Sequence, residues 1–138
     1  VKYKGKVLAI ILRADYEPDG VSFVTSNDNP LQLGVMGHKR GVKIKPHVHK
    51  NLTKTLTEMQ EVLHVEYGKV EAEFYNEDGS KIQSVALRCG DTILLLSGGH
   101  GFTVSEDCKM IEIKQGPYHG VEADKELLKT SEAVDEVV

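Results

Sequence analysis

At 138 residues the chain is long enough for one domain with a full hydrophobic core. Its 28% of charged residues carries a net charge of -4, which argues against nucleic acid, usually met by a basic face. The longest apolar run, Val7–Leu12, is far shorter than the roughly 18 residues a membrane span needs. It is also too short for the h-region of a signal peptide behind Lys2, Lys4 and Lys6. Cys89 and Cys108 form neither a CxxC nor a disulfide framework, so both are expected to be reduced and structural, in a cytoplasmic protein.

In chain order, Val7–Leu12 reads as a buried strand and Arg13–Gly20 as a polar loop. Val21–Thr25 is a second strand, Ser26–Pro30 a turn, and Leu31–Met36 a third strand. Val42–His49 alternates, with Val42, Ile44, Pro46 and Val48 on one face and Lys43, Lys45, His47 and His49 on the other. Asn51–Gln60 is polar and threonine-rich, a loop or edge strand. Glu61–Tyr67 and Lys69–Tyr75 read as hairpin arms about Gly68, followed by a turn at Asn76–Ser80 and a strand at Ile82–Leu87. Thr92–Leu96 is apolar after its first residue, as in a strand covered on both sides. Gly98-Gly99 turns into His100, Gly101–Val104 begins another strand, Ser105–Lys109 is turn-like, and Met110–Lys114 alternates again. Glu122–Lys129 predicts a short helix anchored by Leu127 and Leu128, with an acidic tail beyond. Many short strands and almost no helical pattern before Val121 predict an all-β sandwich or barrel in a single domain, 1–138.

His47 and His49, at i and i+2 on a strand, point to one side of the sheet. With Glu61 and His100 on one inner face they supply three imidazoles and a carboxylate, a set suited to one divalent first-row metal with positions left for water or substrate. A lone HxH is more often two surface histidines; the added Glu61 and His100 favour a site. The full spacing is Gly41-x5-His47-x-His49-x11-Glu61-x6-Gly68, then Gly90-Asp91-x6-Gly98-x-His100. It resembles the two motifs of the cupin superfamily over roughly Gly34 to Lys114. The gap from HxH to Glu61 exceeds the commonest pattern, implying an extended loop at Asn51–Gln60, Leu96 stands where the family usually has proline, and His100 comes one residue earlier after Gly98 than usual.

The resemblance implies a double-stranded β-helix, a jelly-roll-like barrel, with His47, His49, Glu61 and His100 holding Fe, Mn, Zn, Ni or Co inside one end. It also implies a small-molecule substrate and activities ranging over dioxygenases, isomerases and lyases. Small bacterial cupins of this kind, some found beside surface-polysaccharide genes, suggest a carbohydrate-related substrate. Around the site, Leu63, Val65 and Tyr67 share the parity of Glu61, and Phe102 and Val104 that of His100, as apolar wall. Lys45 shares the parity of His47 and either meets an anionic substrate or Glu112, or is a solvated lysine near a strand end. Glu112 and Lys114 alternate with Ile111 and Ile113 and line the pocket or face water. On the pocket reading, Glu112 and Tyr67 are the candidate catalytic groups, and Lys45, Phe102 and Lys114 the candidate substrate contacts. The competing function is a non-catalytic module that binds or senses a small ligand. A homodimer is expected, with Val7–Leu12 at the interface.

Overall fold

The computed structural model describes residues 1–130. They form β1 (Lys2–Tyr3), β2 (Lys6–Val7), β3 (Ala9–Leu12), β4 (Gly20–Phe23), β5 (Gly34–Gly37), β6 (Glu61–Tyr75), β7 (Lys81–Arg88), β8 (Thr92–Leu95), β9 (Gly99–Lys114) and α1 (Val121–Asp124). The class is all-β, as the alternation predicts. No helix among the described residues is long and apolar enough to cross a membrane. The acidic tail beyond 130 lies outside the described residues.

β6 is the spine. Along one edge it pairs antiparallel with β9 from Glu61↔Lys114 to Tyr75↔Gly99. Along the other it pairs first with β8, at Glu61–His64, then with β7, at Lys69–Tyr75. β3 extends the sheet from β8, and β4–β5 and β1–β2 are separate two-stranded ribbons. The expected hairpin about Gly68 does not form; β6 is one strand of 15 residues. A hairpin needs at least a two-residue loop, whereas a single glycine at positive φ makes a bulge. Gly68 has φ 88°, and the register slips on both sides of it, between Val65 and Val70. The turn-like stretch Ser105–Lys109 is likewise absorbed into the continuous β9.

The bulges reset side-chain parity, so Leu63 and Val65 before them and Val70, Ala72 and Phe74 after them join one core. Leu87, Ile93, Leu95, Leu8 and Ala9 complete it. A straight strand from Glu61 to Phe74 would run about 40 Å. Yet the carboxylate of Glu61 lies 2.7 Å from the imidazole of His100, the ladder partner of Phe74. The β6–β9 ribbon therefore curls until its two ends touch and its halves face each other across the core. Ile93, Leu94 and Leu95 are all buried, so β8 is covered on both faces as its unbroken apolar run predicts.

Two expectations need correction. Val42–His49 is not a strand; residues 38–59 carry no strand and are exposed throughout. Alternation makes a segment ready for a sheet, but a strand exists only against a partner edge, and none is offered here. The sheet accordingly stays open among the described residues rather than closing into a barrel. α1 is one turn long, not Glu122–Lys129, because Gly120 provides no side-chain cap and the turn buries nothing. Leu128 packs against Gly99, whereas Leu127 is exposed.

Candidate functional site

The curl of the ribbon creates the candidate site. Glu61 opens β6 on the parity of the core residues Leu63 and Val65. His100 enters from the far end of the ladder and contacts it through Nε2. The Glu61 side chain is partly buried, at 19% exposure, and that of His100 is more open, at 34%. The His100 ring lies edge-on to Phe102, 6.1 Å between centroids, and Phe102 packs against the core. The hydrogen bond from His100 pulls the Glu61 carboxyl down to about 2; burial opposes this, and Glu112 and the charge of Lys114 assist. Glu112 is held above the usual carboxylate range by its hydrogen bond with Glu61, by burial and by the Glu61 charge. The two acids thus move apart: of the pair, Glu61 gives up its proton first and Glu112 later.

Lys114 stands beside them, 4.0 Å from Glu112 and 3.0 Å from Asp124 of α1, with its ammonium 5.1 Å from the centroid of the Tyr118 ring. The Asp124 contact, foremost, holds the lysine above its ordinary value. Next in sequence, Gln115 accepts from the amide of Gln60 at 3.0 Å, and Gln60 exchanges two side-chain hydrogen bonds with Asn29. The buried Nε2 of Gln115 has no partner among the described residues. Sequence reading missed Asp124, Tyr118 and this amide chain, since none carries a periodic or motif signal.

The other expected site residues are placed differently. His47 and His49 lie on the exposed segment, ring centroids 5.2 Å apart, with Nδ1 of His47 hydrogen-bonded to the Lys45 carbonyl at 2.9 Å. Among the described residues no group of three or more His, Cys, Asp or Glu side chains is placed to hold a metal ion. The fold thus assembles the four residues as two pairs, Glu61 with His100 and His47 beside His49. In donor chemistry the set fits a divalent first-row ion; in position, one pair sits on the sheet and the other off it. Lys45 is exposed and does not meet Glu112, which engages Glu61 and Lys114 instead. Tyr67 is 53% exposed because the bulges take it out of the inward parity, and Val104 is exposed rather than part of a wall. His64 faces outward, bonded to Thr92 at 2.9 Å.

No protein-family model matches the chain, and no curated protein or solved structure shows significant similarity to it.

Proposed function

We propose that the chain is a cupin-type roll that binds one divalent transition metal through His47, His49, Glu61 and His100 and acts enzymatically on a small polar, anionic or sugar-related molecule. The observation that carries this reading is the Glu61–His100 pair. Two motif residues from opposite ends of a long ribbon meet at 2.7 Å, in the order the cupin motifs assign to ligands. His47 and His49 ride on a segment with no ladder to break, so drawing them to the pair costs ordering entropy and a few local hydrogen bonds, which metal binding can offset. A bound ion would act as a Lewis acid or activate dioxygen.

The surrounding side chains have definable roles. Glu61 holds its negative charge at neutral pH, and Glu112 beside it, held above its ordinary value, is the candidate group for proton transfer to a bound ligand. Phe102 gives an apolar neighbour to His100, and Lys114 would offer a cation to ligand oxygens. Tyr67 and Lys45, both exposed, have no assigned part. A homodimer belongs to the same proposal, and light scattering would read its mass.

The test is metal content by elemental mass spectrometry on protein purified without a histidine tag or chelator, beside His47→Ala and His100→Ala. One metal per chain in the wild type, lost in both variants, is the expected outcome. No metal after reconstitution would overturn the metalloenzyme and leave a ligand-binding roll.

A further inference from the structure

The chain beyond β9 returns across the seam where Glu61 and His100 meet. Lys114 ends β9 opposite Glu61, and Asp124 is fixed to it at 3.0 Å. Four residues on, Leu128 lies against Gly99, the neighbour of His100, so closely that a Cβ there would collide with its side chain. The Lys129 carbonyl rests against Gly79 in the same way. From 121 to 130, only Asp124, Leu128 and Thr130 are not exposed. The segment thus touches down beside both partners of the Glu61–His100 pair. Its one-turn helix has no side-chain cap and buries no residue, and the contacts of Asp124, Leu128 and Lys129 are among those that hold the segment.

Lys114 has the surroundings of a carboxylate receptor. A carboxylate already sits on its ammonium, and the face of Tyr118 flanks it. The charges of Glu61, which is engaged by His100, and of Glu112, 4.0 Å away, also act on the ammonium, but Asp124 makes the closest ion pair with it. We propose that Lys114 recognises the carboxylate of a small monocarboxylic ligand, and that Asp124 is its internal competitor, displaced together with the 121–130 segment when that ligand binds. The inference rests on reading the Glu61–His100 seam as the ligand site, and it narrows the ligand to a small carboxylate. Binding must first break the Lys114–Asp124 contact, so the apparent affinity is reduced by the fraction of molecules in which it is open.

The experiment is calorimetric titration of the full-length protein, free of added metal, with propionate, using propionamide as the uncharged control. Asp124→Asn keeps the side-chain shape and removes the competing charge, and is expected to bind propionate roughly tenfold more tightly than wild type. Leu128→Ala loosens the same segment without touching either charge and is expected to move affinity in the same direction. Lys114→Met is expected to bind propionate no better than propionamide. The proposal is overturned if Asp124→Asn and Leu128→Ala bind propionate no more tightly than wild type, or if Lys114→Met binds it as Asp124→Asn does. Metal content of the same samples separates the two readings: tighter propionate binding by metal-free Asp124→Asn supports the carboxylate site even if the metal proposal fails.

Discussion

Asp91 is 4% exposed, yet its carboxylate is fully engaged. It accepts from the Arg13 guanidinium at 2.8 Å, the Arg88 amide at 2.9 Å and the Ala14 amide at 3.0 Å. Burial pushes its pKa up, but these donors outweigh burial and hold it below the ordinary 3.8. A lowered folded-state value means that its stabilisation is present above 3.8 and lost as pH falls through the depressed value. Asp91→Asn keeps the volume but weakens three charge-assisted bonds, at an expected cost of about 2–3 kcal/mol in urea unfolding at neutral pH. The difference from wild type should shrink on acidification below 3.8; a constant difference would remove this role. The Gly90-Asp91 dipeptide was legible as a motif start. That Asp91 ties the Arg13 loop to the β7–β8 turn was not, because Arg13 lies far away in sequence. The same limit explains Lys45 and Lys114: strand parity nominated both, and only the fold set Lys114 beside Glu112 and left Lys45 in solvent.

At the scale of elements, the bulge at Gly68 decides the architecture. A Cβ there would lie 2.6 Å from the Cα and Cβ of Cys108 and would strike the Asp107 carbonyl, on a backbone with φ 88°. Gly68→Ala is therefore expected to lose about 2–4 kcal/mol, combining left-handed strain with overpacking. Gly41 provides the control. It also has positive φ, 92°, but nothing lies within 4 Å of the added Cβ, so Gly41→Ala should cost only about 1 kcal/mol. Thermal melts of the two variants measure the contrast; equal losses would show that contact with β9 contributes nothing. The sequence marks Gly68 as an interruption of alternation, but a hairpin turn and a bulge leave the same mark. Which one forms depends on whether β9 covers both halves of β6, a long-range fact.

At the scale of the whole molecule, the Glu61–His100 contact clasps the two ends of the β6–β9 ribbon, while the 38–59 segment stays outside the sheet. Val42, Ile44, Val48 and Leu52 are exposed there, an apolar surface that gains from being covered. If His47 and His49 join Glu61 and His100 on a metal, this segment must move onto the sheet. Its backbone amides should exchange rapidly in metal-free protein and slow markedly with Mn(II) or Zn(II), as read by hydrogen–deuterium exchange. Exchange unchanged by metal, alongside measured metal binding, would remove His47 and His49 from the ligand set.

By itself the sequence determined the all-β class and the positions of most short strands, because alternation and apolar runs act between near neighbours. It also nominated Glu61 and His100 as chemical groups. The tertiary structure alone decided that two presumed hairpin arms are one bulged strand, that Val42–His49 lacks a partner edge, and that Asp124 returns to Lys114. Each of these turns on contacts between residues far apart in the chain. Their energies depend on which edges and faces are already occupied, which no local pattern encodes.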